Sequence, residues 1–452
     1  MRFQPTSLQL FACACAGVAT LGTGPASEPL RLSLADALQY SRRENQEISA
    51  LKHEAEASRA AQSAQFSRFL PTLNAELNVG TSRDKDPSTN QPTPEVPREY
   101  NHYAGALVLR QSLFSGFSDY ANYQAAGAEV EAQDLTLLAR QQDLRRQVIE
   151  AYFEIQLDIA KIAAEEEVEK AREQQLIFST NRFRSGFVTE VDVLRARYDL
   201  ESQKPVIAGL RSDLEKKKLN FAHLVGLPLD QAFELIVSLE QAHAALANAK
   251  LPTLPEALTL ALETNTTIRS LRAELQKTDY EAAAKRGSHL PKLDLVVRAE
   301  SRANLREDIG TPDSQRYSGM LELNVPLFTG LSSVYERTAA AEKNAAIEAR
   351  FETTKQQLLR DLNAALRDLD LSRLRTTTGE SNVKLARRTV EQSTAQYKAG
   401  STTLTTVLDA YAQLLQARKE FSQALFDGVK AVATAQNLIG VAASTELDAG
   451  QG

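Results

Sequence analysis

The chain contains the same text twice, and this constrains its fold more than any other feature. Ala37, Leu38, Asn45, Ile48, Leu51, Glu54, Ala64, Leu70, Pro71 and Leu73 return as Ala257, Leu258, Asn265, Ile268, Leu271, Glu274, Ala284, Leu290, Pro291 and Leu293, an offset of 291 − 71 = 220. Tyr103, Gly105, Leu107, Leu113, Phe114, Gly116, Gly186, Val193, Leu194, Ala196, Leu200 and Gly226 return as Tyr317, Gly319, Leu321, Leu327, Phe328, Gly330, Gly400, Val407, Leu408, Ala410, Leu414 and Gly440, an offset of 328 − 114 = 214. A unit this long is no short solenoid repeat. One half-molecule has been doubled.

The constancy of the second offset is itself structural. In packed helices one inserted residue turns every later side chain by about 100°. The six-residue change, 220 − 214, falls between Leu73 and Tyr103, where Asp84–Pro94 reads as an exposed loop. Its counterpart, Arg306–Pro312, is shorter. Loops absorb length changes that packed elements cannot.

Length alone would allow two or three domains, but the repeat favours one pseudo-symmetric body. The formal net charge of −6 argues against a general nucleic-acid binder. Residues 1–26 read as a secretory signal: Arg2, an apolar Leu8–Leu21, then Gly24-Pro25-Ala26. The two cysteines, Cys13 and Cys15, lie inside it, so the mature chain would have no disulfide and no thiol chemistry. No later stretch is apolar for about 18 residues, which removes a spanning helix but not a membrane β-barrel.

Leu34–Phe69 is predicted as one helix, capped by Ser33 and stopped by Pro71. Leu73, Ala75, Leu77 and Val79 then alternate with polar or small residues, as do Tyr103, Gly105, Leu107 and Leu109. Copy two repeats this with Leu293, Leu295 and Val297, then Tyr317, Gly319, Leu321, Leu323 and Val325. Each copy therefore carries a hairpin, 72–114 and 292–328, with strands long enough to cross a membrane at a tilt. From Ser118 to about Phe183, Val148, Tyr152, Ile155, Ile159 and Ile162 step at helical spacing, and a second helix runs from Phe187 to about Leu224. The long helix is about 100 Å, and the two shorter ones end to end match it. Pro205, opposite Lys419 in copy two, predicts a kink or break. Glu165-Glu166-Glu167 and Lys216-Lys217-Lys218 read as solvated helix faces.

The organisation that follows is a signal at 1–26, a first repeat at 27–227, a linking segment at 228–251, a second repeat at 252–440 and a tail at 441–452. Four strands cannot close a barrel, and open edges are not tolerated in a bilayer. Strands must come from other subunits: eight would mean a dimer and twelve a trimer.

Several of these residues carry a resemblance. Leu70-Pro71 and Leu290-Pro291 precede a strand; Leu113-Phe114-Ser115-Gly116 and Leu327-Phe328-Thr329-Gly330 follow one. The sharpest carriers are Phe183-Arg184-Ser185-Gly186-Phe187-Val188-Thr189-Glu190-Val191-Asp192-Val193-Leu194 and Tyr397-Lys398-Ala399-Gly400-Ser401-Thr402-Thr403-Leu404-Thr405-Thr406-Val407-Leu408. Over almost its whole mature length the chain resembles the TolC-type outer-membrane efflux proteins. The resemblance implies a mainly α protein with a membrane β-barrel: a homotrimer whose twelve strands sit in bacterial outer-membrane lipid above a long coiled-coil tunnel in the periplasm. It implies an exit duct of a tripartite efflux pump or type I secretion system, joined to a periplasmic adaptor and an inner-membrane pump, with no enzyme activity and no cofactor or metal.

A turn between antiparallel helices needs positive φ, which Gly186 and Gly400 supply without steric cost. By resemblance, Gly186, Phe187, Val188, Gly400, Ser401 and Thr402 are adaptor-facing tips. Asp192 and Tyr397 match positions whose polar contact holds the tips closed, and Asp409 matches one of two acidic entrance rings. Thr406 stands where the other ring would be, and Thr402 replaces an arginine latch. Pro71, Pro291 and Pro326 mark strand–helix junctions. No HExxH, phosphate loop or Ser-His-Asp spacing is present in the sequence. The rival reading is a periplasmic coiled-coil scaffold or adaptor without a barrel.

Overall fold

The computed structural model describes residues 29–84, 98–247, 252–303, 309–328 and 330–440. The signal with its cysteines, nearly all of the Asp84–Pro94 loop, residues 306–308 of its shorter counterpart and the tail lie outside the described residues. The elements obey the offsets. Helices α1 (Leu34–Glu44) and α2 (Gln46–Phe66) have copies in α6 (Leu254–Thr264) and α7 (Thr266–Gly287). Helices α3 (Ser118–Arg184) and α4 (Glu190–Val225) return as α8 (Ser332–Lys398) and α9 (Leu404–Ile439), each boundary displaced by 332 − 118 = 214. Between the copies, α5 (Leu239–Ala247) packs on α9, and β4 (Phe233–Leu235) pairs in parallel with β1 (Leu30–Leu32). No described helix is long and apolar enough to cross a membrane.

The helix expected over Leu34–Phe69 is two helices. Asn45 ends α1 with extended backbone (φ −69°, ψ 120°) and caps α2, its Oδ1 accepting from the Glu47 and Ile48 amides. Its Nδ2 donates to the Leu224 carbonyl at the end of α4. Asn265 does the same in copy two, capping Ile268 and donating to Leu438 O at 2.8 Å. An amide that satisfies backbone groups at two helix ends while its own residue ends a third helix holds a sharp corner that hydrophobic periodicity does not reveal. Asn45 and Asn265 were visible only as a repeated pair.

The long helices form a palisade. α2 and α4 lie end to end along α3, as the helix lengths predict. α7 and α9 also pack against α3, and α8 packs beyond them. The outer flanks are thus α2 with α4 on one side and α8 on the other. The strands follow the same order. β2 (Thr72–Asp84), β3 (Arg98–Phe114), β5 (Lys292–Ala303) and β6 (Gln315–Asn324) form one antiparallel sheet, β2-β3-β5-β6. The two expected hairpins are joined through β3 and β5. The second hairpin also ends earlier than expected, at Asn324, because Pro326 cannot donate to a ladder. Its counterpart Ser112 lets β3 continue through a bulge to Phe114.

The main core lies where α1, α3, α4, α5 and α9 meet. Tyr152, Phe153, Phe221, Val148 and Val225 are completely buried there. The Tyr152 hydroxyl donates to Leu32 O at 3.1 Å and accepts from the Val237 amide at 2.9 Å, tying the small β1–β4 sheet to the shaft.

Two sequence expectations fail in this region. The charge runs are not simply solvated faces. Glu165 is 2% exposed; its carboxylate accepts from Gln203 of α4 and pairs with Lys419 of α9. Glu167 pairs with Arg418 and Glu166 with Arg211. Lys217 reaches the buried Asp158 at 2.6 Å. Burial pushes the Lys217 ammonium pKa down, but Asp158 and Glu154 more than offset this and leave it raised. The break expected at Pro205 is also absent, since α4 runs through it unbroken. Pro205 lies on the exposed face, where water can satisfy the freed carbonyl one turn back.

Glu165→Ala would leave the Gln203 amide and the Lys419 ammonium without their shared partner. The expected cost is about 2 kcal/mol in denaturant unfolding, with most of it recovered in Glu165→Leu combined with Lys419→Met.

Candidate functional site

The two helical turns are built alike. After α3, the Phe187 amide donates to Arg182 O and the Gly186 amide to Phe183 O, both at 2.9 Å. After α8, the Ser401 amide donates to Gln396 O at 2.9 Å and the Gly400 amide to Tyr397 O at 3.0 Å. This paired pattern closes a helix over a left-handed residue, and Gly186 and Gly400 sit at φ 76° and 78°. No atom lies within 4 Å of a Cβ built on either, so backbone conformation selects glycine here. Phe187 is exposed, Val188 half-buried, Ser401 exposed and Thr402 half-buried.

The next helices start differently. Asp192 closes a capping box: its Oδ2 accepts from the Thr189 amide at 3.0 Å and from the Thr189 hydroxyl at 2.8 Å. Thr406 replaces it in copy two and meets the Thr403 hydroxyl at 3.1 Å, so α9 starts without a carboxylate. Asp409 is exposed on the first turns of α9. The structure does not join Asp192 to Tyr397 within the described residues of the chain. Asp192 is engaged by Thr189, and the Tyr397 hydroxyl accepts from Gln175 Nε2 at 3.3 Å. Tyr397 is buried against Phe178, with ring centroids 5.2 Å apart, and the Arg182 guanidinium lies 5.8 Å from its ring. Gln175, Phe178 and Arg182 escaped the sequence reading because their copy-two counterparts, Thr389, Gln392 and Gln396, share none of their chemistry.

The sheet is the second element of the site. Leu73, Leu77, Leu107, Leu109, Leu295, Val297, Tyr317, Leu321 and Leu323 share one face by register, and most are exposed in the chain. The opposite face carries the charges. Arg110 bridges Asp294 at 3.2 Å and Glu322 at 3.4 Å. Arg298 bridges Glu76 at 3.0 Å and Glu300 at 3.7 Å, and Arg302 meets Glu300 at 3.1 Å. Period-two alternation with one apolar and one ionic face separates two unlike media.

Sheet and shaft meet at strained corners. Pro71 and Pro291 stand between the helix-ending turn and the first residue of β2 and β5. Leaving the sheet, Gly116-Phe117 and Gly330-Leu331 each place two successive residues at positive φ, including 66° at Phe117 and 68° at Leu331. A bulky residue in this region stores strain, here at equivalent positions of both copies.

Asp192→Ala should destabilise the start of α4 by about 1 kcal/mol, and Thr406→Asp should add a comparable cap to α9. Amide hydrogen exchange at the first turn of each helix reads both effects.

The comparisons with known proteins agree with this architecture. The model of the outer membrane efflux protein family matches residues 37–227 and again 257–441, once on each copy. The chain is 25% identical over 430 residues to the alkaline protease secretion protein AprF of Pseudomonas aeruginosa, covering 92% of this chain and 86% of that protein. It is 21% identical to the outer membrane protein TolC of Vibrio cholerae, covering 92% of each. The fold is similar to the Campylobacter jejuni CmeC outer membrane channel, with a TM-score of 0.80 at 17% identity over 90% of this chain and 85% of that one. It is also similar to the open state of the Neisseria gonorrhoeae MtrE outer membrane channel, with a TM-score of 0.76 at 18% identity over 90% and 88%. A duplicated helical palisade under an amphipathic sheet, matched by one family model on both halves, makes this chain a member of the outer membrane efflux protein family.

Proposed function

We propose that the chain is one subunit of an outer-membrane exit duct serving a tripartite efflux pump or type I secretion system. Three copies, each giving four strands, close a twelve-stranded barrel that continues into a periplasmic α-helical tunnel. One observation carries this reading: a sheet apolar on one face, ionic on the other and, among the described residues, unpaired at both edges. In a bilayer the apolar face meets lipid, the ionic face lines water, and the edges must be joined. Joining β6 of one copy to β2 of the next repeats between chains what β3 and β5 do within one.

The strand–helix corner supports the same closure. Gly116 packs so tightly on Gly287 that a Cβ built on it would lie 2.5 Å from the Gly287 carbonyl oxygen. The equivalent Gly330 has no atom within 4 Å of its built Cβ, and the residue equivalent to Gly287 is Ser67, on the opposite flank. A head-to-tail ring brings Ser67 of the next copy to Gly330. The number of copies follows the family resemblance.

In the duct the tips face a periplasmic adaptor through Gly186, Phe187, Val188, Gly400, Ser401 and Thr402, and an inner-membrane pump supplies the energy. Asp192, Tyr397, Thr402, Thr406 and Asp409 surround the periplasmic entrance. One acidic ring, from Asp409, remains where Thr406 removes the other. Relatives of this chain include, besides AprF, the pyoverdine export outer membrane protein OpmQ of Pseudomonas putida and the cobalt-zinc-cadmium resistance protein CzcC of Cupriavidus metallidurans, so cargo varies across such proteins.

The test is outer-membrane fractionation with heat-modifiable migration at trimer size. A soluble periplasmic monomer would favour the scaffold reading and overturn the duct. Within the barrel, Leu107→Arg on the apolar face should cost about 2–4 kcal/mol and deplete the membrane fraction. Ala106→Arg, one residue along on the ionic face, should insert normally.

A further inference from the structure

We infer that a cation–π clamp centred on Arg182 latches the two tips of each subunit together and holds the entrance narrow. This rests on the reading of the tips as the entrance of a duct. The Arg182 guanidinium lies 5.7 Å from the Phe178 ring, 6.0 Å from the Phe187 ring and 5.8 Å from the Tyr397 ring. Phe178 and Arg182 end α3, Phe187 lies in the first turn, and Tyr397 ends α8, so one cation joins the first tip to the second. Phe178 and Tyr397 also pack ring to ring at 5.2 Å, and Gln175 Nε2 donates to the Tyr397 hydroxyl at 3.3 Å.

The cation is held by rings and not by acids. Among the described residues no carboxylate forms an ion pair with Arg182. Of the two acids in the first turn of α4, Glu190 forms no ion pair among the described residues and Asp192 is engaged by Thr189. Tyr397 is only 7% exposed, so its contact with the guanidinium is largely shielded from water, the setting in which a cation–π pair is strongest. Copy two has no such clamp. Gln392, Gln396 and Ser401 stand where Phe178, Arg182 and Phe187 stand in copy one. Each subunit therefore carries one latch, and separating its tips requires that latch to break. Thr402 contributes no cation, and Arg182 supplies one from the opposite tip.

Single-channel conductance in planar bilayers tests this. Arg182→Gln and Tyr397→Leu should raise the open fraction about three- to thirtyfold, the range one such contact spans. Tyr397→Phe, which keeps the ring, and Arg182→Lys, which keeps the charge, should fall well below them. Because no acid shares the contact, raising salt should not reproduce the Arg182→Gln phenotype, as it would for an ion-pair latch. If Arg182→Gln fails to reach trimer size, Phe178→Leu removes a ring at similar volume and takes its place. Asp409→Asn, measured by reversal potential, reports the entrance reading separately. Wild-type conductance in Arg182→Gln and Tyr397→Leu, with Asp409→Asn still shifting ion selectivity, overturns the latch and leaves the entrance intact. No change in any of them overturns both.

Discussion

The packing of α3 against its neighbours is the contact on which the rest of the molecule depends. α3 alone touches the first copy's shorter helices, α2 and α4, and the second copy's, α7 and α9. Its middle carries the deepest core, around Tyr152 and Phe153. About three and a half turns further on, the buried Glu165 pairs with α4 and α9 at once. A buried carboxylate is costly unless its oxygens are satisfied, and its partners fix how far α9 can slide along α3. Apolar seams alone tolerate such sliding. The position of the second tip relative to the first therefore follows from contacts made well above it.

The same dependence reaches the sheet. Because α3 continues from β3, and α7 leads into β5, packing of α7 on α3 brings β3 beside β5. This converts two hairpins, each marginal alone, into one four-stranded sheet. Its edges fall at β2 and β6, and the edges of the palisade fall at α2 with α4 and at α8. In the proposed ring one head-to-tail operation would satisfy both, so that barrel and tunnel close together.

The copies agree along the palisade and differ at the two helical tips. Asn45 and Asn265 hold identical corners, and Gly186 and Gly400 identical turns. Yet Asp192 caps its helix with a carboxylate while Thr406 offers only a hydroxyl, and Arg182 meets three rings while Gln396 meets none of them. Glu165 likewise has Gly379 as its counterpart, against which Phe421 packs within 3.3 Å of a built Cβ. Duplication supplied matched halves, and in the latch proposed above substitution at few sites made one tip hold the other.

Everything that repeats locally was legible in the residues alone: the doubling, the long uninterrupted helices, the alternating strands and the glycine turns. Periodicity and φ preference act over a few residues and survive in one dimension. The break at Asn45 was hidden because a capping amide bonds a carbonyl 179 residues away. The charge runs were misread because spacing shows which side chains share a face, not what packs against it. The unbroken Pro205 helix needed knowledge that this face meets water. The Arg182 clamp could not be read because its parts lie on two helices and match nothing in the second copy. Which helices became neighbours was settled in three dimensions, through long-range contacts with no periodic signature.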